Sequence, residues 1–285
     1  MSIASKVHVE SAESTACTWS NLYRVGGAAA LIAGVFFRRN LGAEISLDDM
    51  AYPGWPQAHP VRKNQMRNAT KTFTSTLGAI MALAGLEHGI GEMLQGSVAP
   101  SGMLFPSWPG SAFFRSLGGE PAMTIIPNLL VTGILASLFS LVLLVWATRF
   151  VQRKNGGLIM MLLWVVLLLV GGGIFPPILG IMIGAVATRI NAPLTWGRTH
   201  LTEDLRRFLG KLWPWFFTTC IIGWLLMFPG LAILGYFFGV NNPTLVIFLL
   251  IIDIGTLLLT IFSGFAHDIQ KQSGSSSGEF DLRAI

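Results

Sequence analysis

The stretch that decides the fold is Gly157–Thr188, GLIMMLLWVVLLLVGGGIFPPILGIMIGAVAT, which is almost wholly apolar. As one α-helix it would be about 48 Å long, well beyond the ~30 Å hydrocarbon core of a bilayer. A cluster of helix-breaking residues lies at its centre, where a continuous helix is expected to stop. These residues are Gly171, Gly172, Gly173, Pro176 and Pro177. The stretch therefore predicts a tight helical hairpin, either two short transmembrane spans or a re-entrant pair.

The composition of the whole chain points the same way. Hydrophobic residues make up 52% of the 285 residues and charged residues only 12%, whereas an average soluble domain is about 25% charged. An ordinary soluble enzyme, a disordered chain and a fibrous repeat are therefore excluded. We predict an all-α fold, a polytopic helical membrane bundle of six or seven transmembrane spans.

The remaining apolar runs divide the chain. We predict a polar N-terminal segment at 1–21, a marginal first span at 22–39, a cytoplasmic loop at 40–72, a transmembrane bundle at 73–265 and a flexible C-terminal tail at 266–285. Within the bundle the predicted spans outside the hairpin are Phe73–Gln95, Ile125–Thr148, Trp213–Gly239 and Pro243–Phe265. Residues 189–211 predict a separate amphipathic helix at the membrane surface, and Pro229 predicts a kink.

The distribution of basic residues gives the orientation. All of the 19 Lys and Arg residues except Lys6, Arg24 and Arg115 fall in segments that this topology places on one side. Because Lys and Arg are enriched in cytoplasmic loops, we predict an inner-membrane protein with a cytoplasmic C-terminus. The hairpin is needed for this agreement, since a single span at 157–188 would move residues 189–211 outside. The enrichment of Lys and Arg in cytoplasmic loops does not decide whether residues 22–37 span the membrane.

Three acidic residues lie inside predicted spans, namely Glu87, Glu92 and Asp253. No Lys or Arg lies in these spans to pair with them, and a charge near mid-bilayer costs several kcal/mol or more. The acids must therefore be protonated, face water or bind a cation. Thr256 and Thr260 share a helix face with Asp253, and we predict that Asp253 is a proton- or cation-coupling carboxyl. The alternative is that Asp253 binds a neighbouring helix and only stabilises the bundle.

The pair His88 and Glu92 is spaced i, i+4, which allows a hydrogen bond or two ligands to one metal. Two ligands are too few for a closed zinc site, so Glu87 or Asp253 would have to complete it. The simpler interpretation is a partly hydrated pair near the outer interface. We therefore predict no metal, no cofactor and no catalytic residue, and we include Glu87 among the coupling residues, where its apolar helix face requires a partner from another helix.

Two segments resemble uncharacterised multi-pass membrane proteins of bacteria. One is Val170–Ile181, VGGGIFPPILGI, with Ala187–Trp196 after it, and the other is Arg24–Arg39. The resemblance implies a bacterial membrane protein and carries no activity with it.

Three classes of function remain. The first is a small-molecule or ion transporter, or a transporter subunit, in which the broken helix lines a cavity. The second is a non-catalytic membrane scaffold or partner-binding subunit, with the break a simple turn. The third is a metal-dependent intramembrane enzyme that uses His88 and Glu92. The expected partners are the lipid bilayer, a small-molecule or ion substrate and a membrane protein. Nucleic acid is not expected, because the basic residues flank apolar runs.

Overall fold

The computed structural model describes residues 68–190, 192, 194–240 and 242–281, and this part of the chain is mostly helical. Its helices are α1 (Ala69–Gln95), α2 (Leu129–Val145), α3 (Gly156–Leu169), α4 (Phe175–Ala187), α5 (Thr195–His200), α6 (Glu203–Leu225), α7 (Leu231–Phe238) and α8 (Pro243–Asp281). Two short strands, β1 (Leu104–Pro106) and β2 (Pro121–Met123), pair antiparallel between α1 and α2. The predictions for the segments 1–21 and 22–39, and for most of the loop 40–72, lie outside the described residues.

Four helices of the described part are long and apolar enough to cross a membrane. They are Ala69–Gln95, Leu129–Phe150, Glu203–Phe238 and Pro243–Gln272. The second and third of these contain a wide π-helical turn, at Trp146–Phe150 and Leu226–Gly230. The prediction of a helical fold with several apolar helices of spanning length is thus confirmed for these four, while α3 and α4 are apolar but shorter.

The π-helical turn between α6 and α7 coincides with Pro229, where the sequence predicts a kink. Proline has no N–H to donate to the carbonyl four residues earlier, and its ring crowds that carbonyl. A wide turn relieves the crowding while the chain continues as a helix.

Helices α3 and α4 pack side by side in opposite directions. A Cβ on Gly180 would collide with the ring of Trp164, and one on Gly157 would collide with the backbone near Thr188. The chain reverses between them at residues 170–174, where Gly171 has a φ of +97° and Gly173 a φ of +82°. Glycine adopts this left-handed region without steric cost.

The start of α4 explains why two prolines lie directly after the reversal. Pro176 and Pro177 lie in the first turn of α4, where backbone N–H groups have no partner within the helix. These prolines therefore begin the second helix, while the glycines make the turn.

The hydrophobic core lies between α1, α2, α3 and α4, and α6 packs against it. Its largest fully buried side chains include Phe73, Leu77, Trp164 and Trp224. Helix α2 approaches α1 closely, because a Cβ on Gly133 would meet the backbone of Gly89. Small residues at such positions let helix backbones approach within the bilayer, where packing rather than the hydrophobic effect drives association.

The predicted interfacial helix at 189–211 differs from the structure. The short helix α5 ends at His200, and α6 then runs without a break from Glu203 through the predicted boundary at Trp213. The side chain of Thr202 caps α6 by accepting a hydrogen bond from the Leu205 N–H at 3.4 Å. The amphipathic residues after Thr202 therefore form the first turns of a spanning helix.

Helix α8 continues to Asp281 and so includes most of the segment 266–285 that the sequence predicts as a tail. Ala266, Asp268 and Ile269 are buried. The carboxylate of Asp268 accepts hydrogen bonds from the backbone N–H groups of Ala69, at 2.7 Å, and of Thr70, at 2.9 Å. These are unpaired N–H groups at the start of α1, where a negative charge is favoured. The first residues of this segment therefore pack against the start of α1.

Candidate functional site

The last turns of α1 carry Glu87, His88 and Glu92. Helical spacing places His88 and Glu92 one turn apart on the same face, and both are buried, with exposures of 4% and 0%. Glu87 is partly buried, although its Oε1 atom is inaccessible. An apolar helix thus ends in three polar groups that are withdrawn from solvent.

A hairpin from the following loop covers these groups. Ser107 follows β1 and Glu120 precedes β2, and the Ser107 N–H donates to the Glu120 carbonyl at 3.0 Å. The pairing holds the Glu120 side chain against His88, with 3.5 Å between Oε2 of Glu120 and Nε2 of His88. Glu120 is only 5% exposed. Glu120 also lies close to Glu87, with ligand atoms of the two within 4.8 Å of each other, so the neighbour of Glu87 comes from this hairpin and not from another helix as predicted.

The backbone at Glu120 is strained. Gly118, Gly119 and Glu120 all have positive φ, at +66°, +79° and +56°. For a residue with a Cβ this region costs about 1–2 kcal/mol, and glycine occupies the first two positions but not the third. A residue held in such a conformation points to a function for its side chain, and here the strain presents a carboxylate to His88.

Ser107 links the two polar groups on the face of α1. Its Oγ lies 3.0 Å from Nδ1 of His88 and 3.4 Å from Oε1 of Glu92. When the Nδ1–H of His88 donates to the Ser107 oxygen, the Ser107 O–H can donate to Glu92. In this arrangement Nε2 of His88 carries no proton. Its lone pair then faces the carboxylate of Glu120, which is also a hydrogen-bond acceptor.

The turn between α3 and α4 forms a wall of the same site. A Cβ on Gly173 would collide with the imidazole of His88, and one on Gly171 would collide with the carboxylate of Glu92. The predicted helix break and the predicted intramembrane acids are therefore in direct contact. Only glycine satisfies both the positive φ and the lack of space at these two positions.

The cluster has more acceptors than donors. Glu87, His88 and Glu120 each offer one ligand atom, and these atoms all lie within 4.8 Å of one another. Oε2 of Glu92 and Oε2 of Glu120 are buried and receive no hydrogen bond from the described residues. No Lys or Arg of the described chain forms an ion pair with them. A cation, either a proton or a metal ion, is what such a group of atoms lacks.

Asp253 lies in a second location. It is buried on α8, and a Cβ on Gly223 of α6 would collide with its carboxylate. Neither carboxylate oxygen receives a hydrogen bond from the described residues. The hydroxyls of Thr256 and Thr260 donate instead to backbone carbonyls of α8 itself. The hydrogen bonds and ion pairs of the described residues do not connect Asp253 to the cluster on α1.

Glu120 and Ser107 were not singled out by the sequence analysis, although a signal exists for Glu120. Only three acidic residues lie between Asp49 and Glu203, namely Glu87, Glu92 and Glu120, and the only histidine between His59 and His200 is His88. All four belong to the cluster. Charged residues that are this rare in a long apolar region point to a shared site. Ser107 has no comparable signal.

Comparison of the chain with known protein families, with curated proteins and with solved structures gives no match.

Proposed function

We propose that the protein is a multi-pass membrane transporter of a small molecule or ion, or a subunit of one, in which buried carboxyls carry the coupling proton or cation. One observation carries the proposal. Glu92 and Asp253 each hold a carboxylate oxygen inside the bundle with no hydrogen-bond donor and no Lys or Arg among the described residues. Charges at such depth are costly, and proteins keep them chiefly along ion and proton pathways.

The surroundings of Asp253 favour this role over that of structural glue. A carboxyl that joins helices would accept a hydrogen bond from the neighbouring helix, but the group next to Asp253 on α6 is the bare backbone of Gly223. An unsatisfied buried carboxyl does not stabilise a fold. Its cost is accounted for if the group binds and releases a cation.

We propose six crossings for the described part, with α3 and α4 added to the four long helices. Contacts support opposite ends for this pair. The indole of Trp146 donates to the Gly156 carbonyl at 3.0 Å, where α3 begins, whereas Val170, after the end of α3, pairs with Thr124 in the loop that covers the cluster. The Asn68 amide then donates to the Ile190 carbonyl after α4 at 3.0 Å. The distribution of basic residues favours a cytoplasmic location for this end of the bundle. The C-terminus would then also lie on the cytoplasmic side.

The short hairpin helices also support a site at membrane depth. Helix α3 has 14 residues and α4 has 13, so they are about 21 Å and 20 Å long. Each helix is shorter than a ~30 Å core, so the chain on either side of it must complete the crossing. Irregular backbone at Gly171–Gly173 would then lie below the membrane surface, which is tolerated where it lines a cavity or is buried in protein.

The proposal is tested in vesicles that contain the purified full chain. A pyranine signal under an imposed pH gradient reports proton flux, and quenching of entrapped calcein by Co²⁺ reports divalent-cation flux. The Asp253→Asn variant is expected to lose at least tenfold of whichever flux the wild type shows. Its thermal stability should equal or exceed that of the wild type, because a buried charge without a partner is removed. Glu203→Gln, at an exposed position on α6, serves as control and should keep the flux.

Two results would contradict transport. One is a wild-type flux no greater than that of empty vesicles in both assays, and the other is an unchanged flux in Asp253→Asn. A variant that keeps its flux but loses stability or assembly would instead favour the scaffold class.

A further inference from the structure

We propose that Glu87, His88 and Glu120 bind one divalent transition-metal ion, with Zn²⁺ as the best-fitting ion, while Ser107 and Glu92 orient the histidine. The site shares residues with the proposed transport function but does not depend on it, because a metal can bind in a protein that moves nothing.

The separation of the ligand atoms fits such an ion. In a tetrahedral zinc site with bonds of about 2.1 Å, neighbouring ligand atoms are about 3.4 Å apart. Nε2 of His88 and Oε2 of Glu120 are 3.5 Å apart. That distance is long for a hydrogen bond, but it is close to the separation of two neighbouring ligand atoms in a tetrahedral zinc site. The ligand atom of Glu87 lies within 4.8 Å of both, so a small side-chain rotation completes three protein ligands.

The contacts of His88 are those of a metal ligand. A histidine that binds a metal through one nitrogen almost always donates its other N–H to a carboxylate, a backbone carbonyl or a water molecule, which fixes the tautomer. Nδ1 of His88 lies 3.0 Å from the Ser107 hydroxyl, which lies 3.4 Å from Glu92. The remaining nitrogen, Nε2, faces the two carboxylates. The Gly173 backbone beside the imidazole keeps the ring in this orientation.

An independent observation points to a ligand. Glu120 is 5% exposed, is held with a positive φ, and aims a carboxylate oxygen that has no hydrogen-bond donor into the cluster. One imidazole with two carboxylates is a nitrogen and oxygen donor set, which suits Zn²⁺, Fe²⁺ or Mn²⁺ and does not suit Cu⁺, an ion that prefers sulfur. A water molecule would supply the fourth position.

The test uses the purified full chain in detergent, stripped with EDTA and titrated with Zn²⁺, and with Co²⁺ as a coloured substitute. We expect one ion per chain, seen by elemental analysis and by the Co²⁺ visible spectrum. His88→Gln and Glu120→Gln should weaken Zn²⁺ binding at least 100-fold. Ser107→Ala, which removes only the orienting hydroxyl, should weaken it about 10–100-fold. Glu203→Gln is the control, an exposed acid outside the cluster, and should bind Zn²⁺ as the wild type does.

A second variant guards against a failure to fold. Glu120→Gly removes the carboxylate and also relieves the positive φ, so without metal its melting temperature should equal or exceed that of the wild type. Added Zn²⁺ should raise the melting temperature of the wild type and leave that of Glu120→Gly unchanged. A Glu120 with a merely structural role would predict a less stable Glu120→Gly protein that still binds the ion.

The proposal is overturned if the wild type binds no stoichiometric Zn²⁺ or Co²⁺. It is also overturned if a variant with both His88→Gln and Glu120→Gln binds as much as the wild type. These results are distinct from a failure of transport. Bound metal without flux would contradict the transport function but not the metal site. Flux without bound metal would contradict only the metal site.

Discussion

At the scale of single residues, a comparison of two glycines of the described chain distinguishes the cost of a left-handed backbone from the cost of a steric collision. Gly96 and Gly173 have nearly the same φ, +83° and +82°. Nothing lies within 4 Å of a Cβ built on Gly96, whereas one built on Gly173 collides with the imidazole of His88. A substitution to alanine therefore strains both backbones equally but disturbs the cluster in only one case.

We expect Gly96→Ala to lower the free energy of unfolding by about 1–2 kcal/mol, the cost of a Cβ in the left-handed region. Gly173→Ala should lower it by about 1–3 kcal/mol more, because the imidazole must move out of a packed position. Thermal unfolding of the two purified variants measures the difference. Equal melting temperatures would show that the α3–α4 turn does not support His88 as the contacts indicate.

At the scale of elements, the end of the bundle away from the cluster is held by contacts between the ends of helices. Asp268 of α8 accepts hydrogen bonds from the N–H groups of Ala69 and Thr70 and from the Thr70 hydroxyl, the last at 2.6 Å. Asn68 caps α1 and reaches Ile190 beyond α4. Three helices distant in sequence therefore meet at the start of α1.

We expect Asp268→Ala to lower the free energy of unfolding by about 2–3 kcal/mol, because buried N–H groups that bonded to a charge lose their acceptor. Glu203→Ala is a suitable control. It removes an ion pair with Arg207 at 2.8 Å that is exposed to solvent, and such pairs at a helix start contribute less than about 1 kcal/mol. Equal losses of stability in the two variants would contradict the capping role of Asp268.

Metal binding gives a second check on Asp268. Because this residue lies at the opposite end of α1 from His88, Asp268→Ala should bind Zn²⁺ as the wild type does once it is folded. A loss of binding at temperatures where the variant is folded would mean that the two ends of α1 are coupled.

At the scale of the whole molecule, the path of the chain through the membrane decides which residues can share a compartment. With both native cysteines replaced, an impermeant maleimide applied to intact cells should label Ala112→Cys and Asn242→Cys. Lys154→Cys and Thr188→Cys should be labelled only after permeabilisation, because the proposed hairpin returns to the cytoplasmic side. All four native positions are exposed. Labelling of Thr188→Cys from outside would mean that residues 157–188 cross the membrane only once.

Local sequence features predicted much of the helical architecture. The lengths of the apolar runs follow from the cost of exposing polar backbone to lipid, which only complete helices avoid. The break at residues 170–174 follows from the backbone of glycine, and the wide turn at Pro229 from its missing N–H. The sequence also singled out Glu87, His88 and Glu92, because acids are rare in apolar helices. Each of these features depends on a residue and its near neighbours, so a local pattern was enough.

Tertiary structure alone decided which of these groups meet. It brought in Glu120 and Ser107 from a loop, placed the Gly171–Gly173 turn against His88 and Glu92, and put Asp253 against another helix. It also extended α8 into the predicted tail, where Asp268 accepts hydrogen bonds from unpaired N–H groups of α1. Contacts between residues distant in sequence depend on how helices pack and where a connecting hairpin folds back. A strained backbone such as that of Glu120 is held only by those contacts, so no local pattern records it.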